Sequence, residues 1–171
     1  MQGDSVNSGG DLLLLDQTNP GTLRPLVQTP ASEWGGRLSP DQRWLAYFSD
    51  FSGRYELYVT AFPGGGRTWQ VSREGGGEVV WSRDGRELFF RSGYQLLAVR
   101  VKAGASWDWD PPKVLFEGGY YFGGGPGLVH YDVSPDGSRF LMIEDAVSGP
   151  PRFNVVQGWD RLVAGGAGIP R

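Results

Sequence analysis

Cysteine is absent from this chain, and histidine occurs once, at His130. The first absence excludes disulfides, thiolate metal sites and a cysteine nucleophile. The second excludes metal centres built from several imidazoles. Neither fixes a compartment, since many exported proteins manage without cystine. Long apolar runs are missing too. The longest near the start, Leu12 to Leu15, is far too short for a membrane span or a signal-peptide core. Neither direct membrane insertion nor an export signal within the chain as written is expected. Positive charge is nowhere concentrated: 16 basic against 19 acidic residues leave a net charge of −3. That balance speaks against a nucleic-acid partner and against a basic membrane-surface patch.

The motifs of common chemistries are missing as well. No Gly-x-Ser-x-Gly pentapeptide offers a serine nucleophile. The glycine runs Gly64 to Gly66 and Gly75 to Gly77 precede no Lys-Ser/Thr and fit no Gly-x-Gly-x-x-Gly. They read as hairpin loops rather than phosphate cradles. Neither His-Arg-Asp nor Asp-Phe-Gly occurs, so there is no kinase signature. Catalysis, a cofactor and a metal site are accordingly not expected.

What the chain has in quantity is turn-formers and aromatics: 28 glycines, 12 prolines, 7 Trp, 7 Tyr and 9 Phe in 171 residues. With two methionines and few alanine- or leucine-rich stretches, this composition points to an all-β protein with many turns. Three passages share one template. Ser39-Pro40-Asp41-Gln42, Ser82-Arg83-Asp84-Gly85 and Ser134-Pro135-Asp136-Gly137 each lead through two mostly polar residues into an apolar run. Their serines are 43 and then 52 residues apart. Strand-rich repeats of that length are the mark of β-propeller blades. Ser-Pro-Asp-Gly is turn chemistry: Pro presets one dihedral, Asp bonds nearby backbone, and Gly accepts a positive φ. Asp41, Asp84 and Asp136 are therefore read as structural. The residues before the serines, Leu38, Trp81 and Val133, are expected to pack between blades.

The strand pattern divides the chain. Residues 1–10 read as a disordered tail, 11–28 as half a blade, 33–72 and 77–117 as full blades, 128–159 as a partial blade, and 160–171 as a flexible tail. About three four-stranded blades result. Propellers typically close with about four to eight, so one chain is expected to form an open arc. Its end sheets would expose apolar faces, and such patches usually mark interfaces. Either a second copy completes the ring, the N-terminal strands of one joining the last blade of the other, or upstream blades of a longer chain do so.

Trp81 to Phe90 and Val133 to Gly137 resemble the TolB-like family of propeller repeats, over roughly Asp11 to Trp159. The first copy departs from the pattern at Gln42, where the others have Gly85 and Gly137. The ending Phe153 to Trp159 is similar to the closing strand of propellers attached to bacterial serine/threonine kinases. That resemblance implies a parent protein whose propeller follows a membrane span and lies outside the cytoplasm, as a periplasmic or cell-surface sensor region. The leading reading is a non-catalytic module for protein or small-ligand recognition. A propeller fragment of a hydrolase or lyase whose catalytic part lies elsewhere, or a purely structural half-propeller, are the alternatives.

Two sets of residues are candidates for contact. Counting back from the repeat serines places Arg37, Glu78, His130 and Asp132 on inner strands, which line a propeller's channel. They would either bind a ligand or only hydrate the channel. The insertion Tyr120-Tyr121-Phe122, beside Gly123 to Gly125, has the composition of a contact loop, though it could equally cover exposed blade faces. Asp108 and Asp110 resemble a glycosidase carboxylate pair. Pro111-Pro112 follows them, and an exposed loop is the preferred reading.

Overall fold

A computed structural model describes residues 9–19, 21–64, 66–123 and 127–144, and the backbone of 153–157. These residues contain thirteen strands and no helix. β1 (Leu12–Leu15) and β2 (Leu23–Val27) form a hairpin. The first blade is β3 (Glu33–Leu38), β4 (Trp44–Ser49), β5 (Glu56–Ala61) and β6 (Thr68–Gln70), side by side in that order. The second is β7 (Gly77–Trp81), β8 (Glu87–Ser92), β9 (Gln95–Arg100) and β10 (Lys113–Glu117). β11 (Tyr131–Val133), β12 (Arg139–Ile143) and β13 (Phe153–Gln157) make a third sheet. Every neighbouring pair is antiparallel. Among the described residues no bridge joins the first hairpin to the last sheet, so the blades stand as an open arc.

The repeated turn is built the same way three times. Each serine hydroxyl donates to its aspartate: Ser39 to Asp41 at 2.6 Å, Ser82 to Asp84 at 2.8 Å and Ser134 to Asp136 at 2.5 Å. Each serine oxygen also accepts the amide five residues on, from Trp44, Glu87 and Arg139. The same carboxylates accept the amides of Arg43, Arg86 and Ser138. These bonds favour the ionised carboxyl. The Ser134 hydroxyl, with Ser138, holds Asp136 down at about 2. Asp41 is lowered chiefly by Ser39, and Asp84 chiefly by the Arg86 amide.

The position after Asp has a left-handed backbone in all three turns, with φ of 56° at Gln42, 70° at Gly85 and 71° at Gly137. A side chain there costs about 1 kcal/mol or slightly more. Gln42→Gly is therefore expected to stabilise the protein by about 1 kcal/mol, and Gly85→Gln to destabilise it by a similar amount. Urea denaturation midpoints measure both. Unmoved midpoints would show that the turns do not feel the side chain.

Alternation along the strands sets the blade faces. Trp44, Ala46 and Phe48 of β4 meet Trp81, Leu88 and Phe90 of the second blade in one core. Phe89 of β8 meets Phe140 and Met142 of β12 in another. Leu45, Tyr47 and Tyr58, on the far face of the first blade, are covered by Leu12, Leu26 and Val27 of the hairpin. Of the three residues before the serines, Trp81 is buried and its Nε1 donates to the Arg37 carbonyl at 3.0 Å. Val133 packs against the second core. Leu38 does not pack between blades but is 39% exposed, because its side faces a position where only the hairpin stands.

Three further expectations are corrected. The stretch around Asp108 is not simply an exposed loop, since Trp107 is 4% exposed. Its ring lies 5.4 Å from that of Trp44 and 6.0 Å from that of Trp81, both edge-on. In the third unit the inner strand begins at Tyr131 rather than Leu128. Of the tail expected over 1–10, Gly10 is ordered, bridging Ser32 in parallel. Residues 1–8 and 158–171 lie outside the described residues.

Candidate functional site

The inner strands of both full blades carry a bulge four residues before the repeat serine. The ladder β3–β4 slips between Trp34 and Arg37, and β7–β8 between Gly77 and Val80. At the bulge φ is 67° for Gly35 and 58° for Glu78. Gly suits such a dihedral; a glutamate in it is strained, and strain of this kind clusters at functional sites. In the third copy the same position is His130, just before β11.

These three positions converge. A Cβ at Gly127 would stand 3.2 Å from the Gly35 nitrogen, so the chain entering the third sheet passes against the bulge of the first blade. Glu78 is buried, and its Oε1 lies 2.6 Å from His130 Nδ1. Its Oε2 accepts the His130 amide at 3.3 Å, and its backbone carbonyl accepts the Tyr131 hydroxyl at 2.8 Å. Burial first, then the Glu78 charge, push the Tyr131 phenol well above its ordinary value. The Arg37 guanidinium donates to the carbonyls of Gly36 and Gly127 at 3.1 and 3.3 Å.

The aromatic insertion folds onto the same place. Tyr121 meets the His130 ring edge-on at 4.9 Å. Arg91, 1% exposed, donates to the carbonyls of Tyr121 at 2.9 Å and Tyr120 at 3.2 Å. Its guanidinium lies 5.2 Å from the centre of the Phe122 ring, a cation–π distance. Burial works against the Arg91 charge and the Glu78 carboxylate works for it. Between these elements lies a cavity of about 250 Å³, lined among others by Trp34, Phe48, Tyr55, Glu78, Phe122 and Leu128.

Of the residues singled out in the sequence, Glu78, His130, Tyr121 and Phe122 thus belong to one site, with Arg37 beside it. Tyr120 packs edge-on against Phe116 at 5.8 Å and reaches the site only through its carbonyl. Asp132 is not in the cluster; it is exposed and accepts the Val133 amide. Asp108 and Asp110 are apart as well, the first exposed and the second half-buried, and both are paired with Lys102, at 3.3 and 3.5 Å. Arg91 was missed, although the repeat signals it. It stands nine residues after its serine, where the other copies have Phe48 and Ile143. Among the described residues no group of three or more His, Asp or Glu side chains is placed to hold a metal ion.

No family model and no curated protein matches the chain. Solved structures do. A putative TolB from Agrobacterium tumefaciens aligns over 87% of this chain and 53% of its own, with a TM-score of 0.58 and 20% identity. The fold is that of a TolB-like β-propeller, present in part. A puromycin-hydrolyzing peptidase from Mycobacterium tuberculosis aligns over 79% of this chain and 22% of its own, with a TM-score of 0.59 and 22% identity. An oligogalacturonate lyase from Vibrio parahaemolyticus aligns over 81% and 39%, with a TM-score of 0.53 and 14% identity. The chain spans about half the length of the first of these TolB-like propellers and less of the others. A peptidase and a lyase share this scaffold, so the fold carries no activity with it.

Proposed function

We propose that this stretch of TolB-like propeller is a non-catalytic recognition module, and that its contact site is the cavity under Phe122. The observation carrying this reading is the strained, buried Glu78. A left-handed glutamate tied to His130 is a costly way to begin a strand, and it forms a wall of an aromatic-lined cavity. Such a cavity suits an aromatic or aliphatic group, from a partner protein or a small ligand. Indole is a direct probe, followed by NMR through the ring signals of His130, the sole imidazole of the chain. Saturable shifts are expected, weakened roughly tenfold or more by Phe122→Ala, which removes one aromatic wall. Wild-type protein with no saturable response at millimolar indole would overturn the reading.

Two wider proposals attach to it. The ring is completed by a second copy of the chain, upstream blades being the rival. In the parent protein the propeller lies outside the cytoplasm, as a sensor region; the support is the likeness of the Phe153 to Trp159 ending to kinase-linked propellers. A phosphatase reporter fused to the full-length parent, active only when exported, reads that side of the membrane; a fusion that is made in full but shows no phosphatase activity would refute it.

A further inference from the structure

The first blade has a second cavity, on the face covered by the hairpin, that the repeat does not call for. It measures about 440 Å³, and its lining includes Glu33, Tyr47, Ser49, Phe51 and Tyr58. Two polar groups of this lining are buried without a partner among the described residues: Oε2 of Glu33, whose residue is 1% exposed, and the hydroxyl of Tyr58, 6% exposed. Oε1 of Glu33 accepts from Thr29 at 2.5 Å and from Ser49 at 3.3 Å. Among the described residues no lysine, arginine or histidine ion-pairs with Glu33.

Glu56, a buried carboxylate at the same end of the blade, shows what a satisfied one looks like there. It takes the Arg54 guanidinium at 2.6 Å, the Ser72 hydroxyl and the Gly75 amide. Among the described residues Glu33 has no such cation. The second blade, moreover, is apolar at the matching positions. Glu33 corresponds to Gly76, and the cross-strand pair Tyr47–Tyr58 corresponds to Phe90–Leu97. A carboxylate and two phenols thus replace glycine and hydrocarbon around one cavity.

From this we infer that the cavity binds an organic cation bearing N–H donors, a guanidinium or alkylammonium group. The N–H groups would donate to Glu33 Oε2 and to the Tyr58 oxygen. The Tyr47 and Tyr58 rings, stacked at 5.9 Å, and Phe51, 72% exposed, supply aromatic surface of the kind that attracts cations. A buried carboxylate without a cation is a costly arrangement that such a ligand relieves. The cation belongs either to a free small amine or to a side chain of another protein.

Isothermal titration with agmatine tests this, with N-butylurea as a neutral comparison and acetyl-Gly-Arg-Gly-amide as the peptide arm. Saturable agmatine binding is expected, with none for the urea. Glu33→Gln should weaken it roughly tenfold or more, Tyr58→Phe by a smaller factor, and Glu78→Gln not at all. The last variant keeps this site distinct from the cavity under Phe122, so the two proposals fail independently. Tighter binding of the peptide would point to a protein side chain, and tighter binding of agmatine to a free amine. Agmatine bound equally by Glu33→Gln, by Tyr58→Phe and by wild type, or failure of both cations to bind, overturns the assignment.

Discussion

Trp107→Ala is expected to cost about 3 kcal/mol of stability or slightly more, the usual range for emptying a buried tryptophan site. The ring stands between the first two blades, against Trp44 and Trp81, with Trp109 tilted beside it at 5.8 Å. Its indole nitrogen has no partner among the described residues, which trims the loss. Domains hold together by only about 5–15 kcal/mol, so the variant should unfold far earlier in urea. Trp107→Phe keeps much of the buried surface and should lose less than half as much. A shift below about 1 kcal/mol for Trp107→Ala would mean that the two blades cohere without the plug.

That plug shows where the sequence was legible and where it was not. The repeat template fixes turn geometry within six residues, and the three Ser–Asp turns follow it bond for bond. Strand alternation likewise places Phe89, Phe140 and Met142 in the core. Trp107 belongs to no repeat position. Its loop looks polar because Asp108 and Asp110 flank its neighbour, and only the three-dimensional return of β9 to β10 turns the ring inward. The same holds at the site. Counting from the serines found Glu78 and His130 and aligned them with Gly35, but the fold brings the insertion down onto them. What binds the insertion there is Arg91, whose reach to the Tyr120 and Tyr121 carbonyls spans about thirty residues of chain. Such a contact leaves no mark of spacing. Its one trace is a charge at a position where the other copies are apolar.

The proposed pairing of two copies predicts a native mass twice that of the chain, measured by light scattering. Register shows why. Seven and nine residues after the serine, the first blade has Ala46 and Phe48, and the second has Phe89 and Arg91, all at most 4% exposed because the next blade covers them. In the third sheet the same positions are Leu141 and Ile143, exposed by 45% and 40%. At the other end of the arc Leu38 faces outward, as do Leu13 and Leu15 of the hairpin. Each end thus displays what the interior blades bury, and joining them would remove from water side chains worth about 1.5–3 kcal/mol apiece when fully covered. Two arcs of three blades fall within the range of about four to eight that closes a ring, with the hairpin of one copy lying beside the last sheet of the other. Leu141→Asp puts a charge into that contact while leaving the chain's own cores untouched. It is expected to return the mass to that of a single chain without unfolding it. Wild-type protein that stays at the single-chain mass across the micromolar range refutes pairing, and leaves upstream blades as the cover for both ends.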